Sequence, residues 1–181
     1  SHDIEGFISE ITDAGLHKAV VVGRTTPNQI LPNDDIAAIA SASDHILGIG
    51  SADPIVQGTR GALEEAERAI KALGLKGIDI EPGFGAPPRH PNDRAYYPIY
   101  ELCNALNVPV FLMTGPTTPD PNYNNPAPIA EIARNFPTLK IGIFHGSWPY
   151  VADIIGIAFR YENVFLIPDM YLFQPISHLY I

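Results

Sequence analysis

The sequence predicts an α/β fold built on parallel strands. Six short apolar runs alternate with helix-like stretches at a spacing of about 23 to 33 residues, which is the spacing of a strand plus a crossover helix. The runs are residues 18–23, 45–50, 75–81, 108–114, 140–145 and 163–169. Because the loops that follow parallel strands meet on one face, we expect the chemistry at the carboxyl ends of these runs.

The helical stretches between the runs follow from apolar periodicity and glycine stops. In the clearest of them, Leu63, Ala66 and Ala69 fall on one face while glutamates occupy the other, and Gly74 ends the pattern. Helices are predicted over residues 5–15, 33–42, 61–73, 97–106, 126–135 and 150–161, with residues 33–35 as N-cap candidates for the second. The proline- and glycine-rich residues 82–94 predict a long irregular loop on the working face.

Two architectures fit this alternation: an open doubly wound sheet and part of a (β/α)8 barrel. A barrel usually needs about 250 residues, so the 181 residues here favour an open sheet by length alone. However, the chain opens on a helix and almost nothing follows the last run, as if a first and a last strand lay outside it. No composition shift divides the chain, which predicts one domain over residues 1–181.

Composition excludes several classes of partner. The formal charge of −9 comes without any cluster of Lys or Arg, which argues against nucleic acid. No apolar stretch approaches the roughly 18 residues of a membrane span. Cys103 is the single cysteine and is expected to be a buried structural thiol, which suits a cytoplasmic protein. We expect a small-molecule substrate as partner, with a homo-oligomer as a candidate assembly.

His145 is the leading catalytic candidate. It ends the fifth apolar run and precedes Gly146, which would let a ligand approach. Imidazole gains and loses a proton near neutral pH, so a histidine there can act as a general acid/base or bind a metal. A histidine that only caps the strand is the alternative. Trp148 is expected to shape the wall of the pocket.

Charged side chains at other strand ends are candidates for substrate binding. Asp79 and Glu81 alternate with isoleucines, so both carboxyl groups share one face of the third strand. Inside a barrel they would need a metal, a cation or a shared proton, whereas on a solvent-facing strand they would need none. Arg24 and Asp169 also end strands, with capping or turn formation as the alternatives.

Three segments carry a family resemblance: Leu75-Lys-Gly-Ile-Asp-Ile-Glu-Pro, residues 97–115 and residues 137–149, the last containing Phe-His-Gly-Ser-Trp-Pro. They resemble the amidohydrolase-related metal-dependent hydrolases, which include aminocarboxymuconate semialdehyde decarboxylase and resorcylate-type decarboxylases. The resemblance implies a distorted TIM-type (β/α)8 barrel in which the six runs are strands two to seven, with the first and last strands missing. It also implies one divalent metal, zinc or manganese, with ligands on the first, fifth and eighth strands.

Carried over by position, the family's sixth-strand acid/base histidine matches His145. The fifth-strand metal ligand falls on Met113, where the family usually has histidine. A thioether is a poor ligand for a hard or borderline divalent ion, so no metal ligand is assigned from this chain.

The sequence thus predicts an amidohydrolase-related hydrolase or decarboxylase for a small carboxylated or ring-derived substrate. His145 would move a proton, and Arg24, Asp79, Glu81, Trp148 and Asp169 would bind substrate. The alternatives are a metal-independent, lactonase-like hydrolase and a non-catalytic binding barrel that has lost its metal site.

Overall fold

The computed structural model of the protein describes residues 3–181; Ser1 and His2 lie outside the described residues. The strands are β1 (Ala19–Val22), β2 (Arg24–Thr26), β3 (Gln29–Leu31), β4 (Ile46–Ser51), β5 (Ile78–Ile80), β6 (Val110–Met113), β7 (Ile141–Phe144) and β8 (Val164–Ile167). The α-helices are α1 (Ile4–Asp13), α2 (Asn33–Ser41), α3 (Pro54–Lys71), α4 (Tyr97–Ala105), α5 (Ala127–Asn135) and α6 (Val151–Arg160).

Six of these strands form one sheet in the order β1-β4-β5-β6-β7-β8, and every neighbouring pair is parallel. Five of these strands lie within predicted apolar runs, and β4 begins within its run and extends one residue beyond it, to Ser51. The strand order follows the chain without a reversal, which excludes the doubly wound alternative, because that fold needs a switch point. The sheet with its crossover helices is the curled half of a (β/α)8 barrel, as predicted.

The outer face of the sheet carries the main hydrophobic core. Ile78, Val110 and Ile141 are fully buried there and lie side by side in register across β5, β6 and β7. Helix residues such as Ala66 and Ile132 pack in the same buried cluster. The apolar character of the strands is therefore explained by helices that cover this face.

The inner face has a different composition. Asp79, Phe111 and Gly142 follow one another in register on this face, and the Phe111 ring stacks on Phe144 at 5.1 Å between centroids. A side chain at position 142 would overlap the Phe111 ring, so glycine is required for this stack. At the edge of the sheet, Phe165 is 51% exposed. Asp79 of β5 thus points to the concave side of the sheet, away from the helical core.

Two helices begin differently from the prediction. Pro32 is the N-cap of α2, and the side chain of Asn33 instead holds the end of β4, where its amide accepts from Ser51 N at 2.8 Å and donates to Ser51 O at 3.0 Å. Helix α3 begins at Pro54 rather than near residue 61, because Asp53 caps it by accepting from Ile55 N at 2.6 Å. Asp53 is therefore the N-cap of this helix.

The antiparallel hairpin of β2 and β3 was not predicted. It is joined by a two-residue turn and pairs Arg24 with Leu31. It follows β1 directly, so it places Arg24 at the carboxyl end of the sheet.

Cys103 is buried in α4, as expected, and burial raises the pKa of its thiol to about 12. Across residues 3–181 the helices are too short or too polar to cross a bilayer.

The helical core makes a testable prediction for stability. Replacing Ile143, which is completely buried on the outer face of β7, by alanine should reduce the free energy of unfolding by about 2 to 5 kcal/mol, because it removes buried methyl groups and leaves a cavity. The matched change Ile30→Ala, at a residue that is 61% exposed on β3, should cost less than about 1 kcal/mol. Urea denaturation measures both, and equal losses would contradict this description of the core.

Candidate active site

The turn after β7 presents His145 in an unusual backbone conformation. His145, Gly146 and Ser147 have positive φ angles of 62°, 54° and 54°, a conformation that is costly for residues other than glycine. Thr114 supports this turn through its hydroxyl group, which donates to Phe144 O at 2.7 Å and accepts from Ser147 N at 3.1 Å. The strained segment is therefore held by specific hydrogen bonds.

Asp169 holds His145 from the end of the neighbouring strand β8. One carboxylate oxygen accepts from His145 N at 3.0 Å and lies 2.8 Å from His145 Nδ1. Because a carboxylate only accepts, Nδ1 carries the hydrogen, which leaves Nε2 as the nitrogen free for chemistry. Within residues 3–181, Nε2 makes no hydrogen bond.

Aromatic side chains and one glycine fix the imidazole ring. Tyr171 packs edge-on against His145 with centroids 5.1 Å apart, and Trp148 stacks on the far side of Tyr171 at 5.4 Å. The Trp148 indole N–H donates to Pro175 O at 2.9 Å. In the loop after β6, Gly115 lies so close that an added Cβ would be 3.0 Å from His145 Cδ2.

Arg24 and Glu81 form an ion pair across the pocket mouth. Arg24 Nη2 lies 2.8 Å from Glu81 Oε2, although the alignment does not make a well-formed hydrogen bond. Arg24 Nη1 donates to Gln29 Oε1 at 3.1 Å, and the guanidinium lies 4.9 Å above the Phe84 ring. These contacts fix the position of the cation, and a guanidinium with five N–H groups still has donors for a ligand.

Asp79 lies below Glu81 on the same face of β5. It is 1% exposed, and neither carboxyl oxygen has a hydrogen-bond partner among the described residues. Burial, followed by the nearby charge of Glu81, raises the pKa of Asp79 well above its ordinary value. Burial also raises the pKa of Glu81 to about 7, although Arg24 opposes this shift. The carboxyl groups therefore face the inside of the barrel, not solvent.

These side chains surround a pocket of about 220 Å³ at the carboxyl ends of the strands. Its lining consists of Val22, Gly23, Arg24, Leu31, Glu81, Phe84, Met113, Thr117 and His145. The lining thus combines charged with apolar side chains, a combination typical of small-molecule sites.

The structure brings most of the sequence-predicted residues to this place. Arg24, Glu81 and His145 line the pocket, while Asp79 lies behind Glu81 and Asp169 behind His145. Trp148 supports Tyr171 and is not part of the pocket lining.

Sequence reasoning missed Gln29, Phe84 and Thr117. The Pro-Asn turn before Gln29 was the available signal for the hairpin that brings Gln29 beside Arg24.

The residues present do not fit the divalent metal that the family resemblance implies. In the described part of the chain, no group of three or more His, Cys, Asp or Glu side chains is arranged to hold a metal ion. Met113 occupies the pocket at the family's fifth-strand position and offers only a soft thioether.

Comparison with known proteins places the chain in a family. A family model described as amidohydrolase matches residues 12–179. A 2-amino-3-carboxymuconate-6-semialdehyde decarboxylase from Dictyostelium discoideum is 35% identical over 81 residues, which are 44% of this chain and 21% of that protein.

Solved structures support the fold. An uncharacterized TIM-barrel protein from Bordetella bronchiseptica is 36% identical with a TM-score of 0.88, and the match covers 97% of this chain and 63% of that one. A 4-oxalomesaconate hydratase from Rhodopseudomonas palustris is 20% identical with a TM-score of 0.71, over 97% and 62% of the two chains. A dihydroxybenzoic acid decarboxylase from Polaromonas, solved with bound manganese, shares the fold at 19% identity and a TM-score of 0.52, over 74% and 54% of the two chains.

The chain spans about a fifth of the curated relative and somewhat less than two thirds of the first two structures. The family model, however, matches nearly all of it. Together with the six parallel strands and the polar pocket at their carboxyl ends, this match shows that the chain belongs to the amidohydrolase family.

Proposed function

We propose that the protein is a hydrolase or decarboxylase that acts on a small carboxylated or ring-derived molecule, with His145 as its general acid/base. The observation that carries the proposal is the His145 imidazole, which is held by Asp169 through Nδ1 and lines a pocket shared with Arg24 and Glu81. The decarboxylase and hydratase among the similar proteins support the reaction class.

His145 would transfer a proton at Nε2. In decarboxylation it would donate a proton to the carbon that loses carbon dioxide; in hydrolysis it would accept a proton from the attacking water. In both cases Asp169 stabilises the correct tautomer and the imidazolium form, as the carboxylate does in other His–Asp pairs. Asp169 is therefore a positioning residue in this proposal, although it was expected to bind substrate.

Arg24 would bind the carboxylate of the substrate, and the apolar wall would hold its carbon skeleton. Guanidinium matches the planar geometry of a carboxylate. Phe84, Leu31 and Met113 supply the apolar surface, and a volume of about 220 Å³ suits a molecule with one ring. Glu81 would orient Arg24 and contact a polar group of the substrate, while Asp79 and Trp148 support the pocket from behind.

Met113 favours a second candidate, a lactonase-like hydrolase that works without a metal. Its thioether stands at the pocket where a family metal ligand is expected. In this version His145 activates water directly, and Arg24 holds a carboxylate on the lactone. Product analysis separates a decarboxylase from this candidate, since decarboxylation releases carbon dioxide and lactone hydrolysis releases an acid.

Substitution of His145 tests the acid/base assignment. In a screen of ring-derived carboxylic acids and lactones with the full chain, His145→Gln should lower kcat by about 10² to 10⁴-fold with little change in KM, because glutamine keeps polarity but cannot move a proton. Asp169→Asn should lower kcat at least about tenfold, because an amide favours the wrong tautomer.

His17→Gln is the matched control, since that exposed histidine lies just before the amino end of β1, whereas the pocket lies at the carboxyl ends of the strands. It should leave turnover unchanged. Full turnover by His145→Gln would remove the acid/base role of His145, whereas no turnover by the wild type on any substrate in the screen would favour the non-catalytic binding protein.

The raised pKa of Glu81 predicts how stability depends on pH. Between the ordinary carboxyl pKa and about 7, the folded protein binds a proton that the unfolded chain has lost, so this group makes folding less favourable as pH rises. Glu81→Gln removes this titration. The free energy of unfolding of the variant minus that of the wild type should therefore rise by about 1 to 3 kcal/mol between pH 5 and pH 8.

The measurement is urea denaturation at both pH values, with the exposed change Glu10→Gln as control. A difference between Glu81→Gln and wild type that is the same at pH 5 and pH 8 would contradict the raised pKa.

A further inference from the structure

Two buried carboxyl groups beneath the pocket face a single cation. The side chain of Glu81 is 2% exposed, and Asp79 is as deeply buried on the same face of β5. Arg24 is the cation in contact, and it forms its ion pair with Glu81. With both carboxyl groups ionised, the buried cluster would carry an uncompensated negative charge, which is costly away from water.

The contacts decide which group holds the proton. Glu81 has the guanidinium of Arg24 at 2.8 Å, whereas both oxygens of Asp79 lack a hydrogen-bond partner among the described residues. The charge is therefore best placed on Glu81 and the proton on Asp79. The pKa of Asp79 is raised by burial and by Glu81, in agreement with this arrangement.

Other charged groups also face the pair. Asp53, at the start of α3, adds negative potential at Glu81, and its own charge is partly offset by Arg89. His145 lies in the same pocket lining as Glu81. Asp53 therefore opposes Arg24 and makes the ionised form of Glu81 less favourable.

A carboxylate that binds Arg24 would add a second negative charge opposite Glu81. We propose that above neutral pH the Asp79–Glu81 pair holds one proton in the ligand-free protein and takes up a second one, on Glu81, when a ligand carboxylate binds beside Arg24. The proton comes from solvent and forms an O–H bond on the Glu81 carboxylate. The ligand then neutralises Arg24, so the net charge of the cluster remains zero. The inference rests on the proposed role of Arg24 in carboxylate binding.

Proton uptake makes affinity depend on pH. Above the pKa of Glu81, which is about 7, each further pH unit should weaken binding of a carboxylate about tenfold, since one proton must be supplied for each ligand bound. A neutral analogue of the same shape places no negative charge near Glu81, so its affinity should not change with pH.

Titration calorimetry with benzoate tests the inference on the full chain. At pH 8, in two buffers with different ionisation enthalpies, benzoate binding should take up close to one proton, and binding of benzamide should take up none. Glu81→Gln should bind benzoate without proton uptake. Glu64→Gln, on the exposed face of α3, should behave like the wild type. Benzoate binding without proton uptake by the wild type would overturn the inference and leave the proposed function intact.

A second measurement needs no ligand. Carbon-13 NMR of the carboxyl carbons, with the Asp79 signal assigned by its loss in Asp79→Asn, should show a neutral Asp79 at pH 7. An ionised Asp79 at that pH would overturn the inference. If benzoate fails to bind at every pH, the role of Arg24 in the proposed function is rejected together with the inference.

Discussion

The parallel, in-order pairing of the strands is the constraint on which the site depends. The pocket residues come from β1 and the hairpin that follows it, from the segments after β5 and β7, and from β6 and the loop after it, which are distant in the sequence. In-order pairing places β5, β6 and β7 side by side and turns their carboxyl ends to one edge. A reversal anywhere in this order would separate His145 from Glu81, even if each strand and helix stayed as it is.

Charge balance is the second constraint on the pocket. The inner face of β5 buries two acidic side chains, and the helical face provides no partner for them. Arg24 supplies one compensating charge only because the β2–β3 hairpin follows β1 immediately and reaches over the sheet edge. The hairpin, whose strand β3 is exposed, therefore determines the charge balance of the buried Asp79–Glu81 pair.

The sequence was sufficient for the strands of the sheet. Strands such as β7 are covered by helices on one face, which makes their apolar runs easy to recognise. The alternation of Asp79 with isoleucines placed both carboxyl groups on one face but left open whether that face was the barrel interior or solvent. The hairpin was missed because its three-residue strands are mostly polar. The Arg24–Glu81 pair depends on strand order, which local pattern does not contain, so the sequence offered only the two residues as separate candidates.

Helix starts were missed for a different reason. Asn33 has the side chain of a good N-cap, but its amide binds the backbone of Ser51, and a tertiary contact thus replaced the local one. His145 and Asp169 were each placed at strand ends, and only the pairing of β7 with β8 shows that they form one unit.

The close approach of Gly115 to the imidazole has a consequence for how this site can change. The backbone of the β6 loop acts as a steric stop on one side of the ring, while Tyr171 limits it on another. An alanine at position 115 would press on Cδ2, the ring carbon bonded to Nε2, and so displace Nε2. Under the proposed function, variation at a residue with no functional group of its own would thus alter reactivity by moving the histidine.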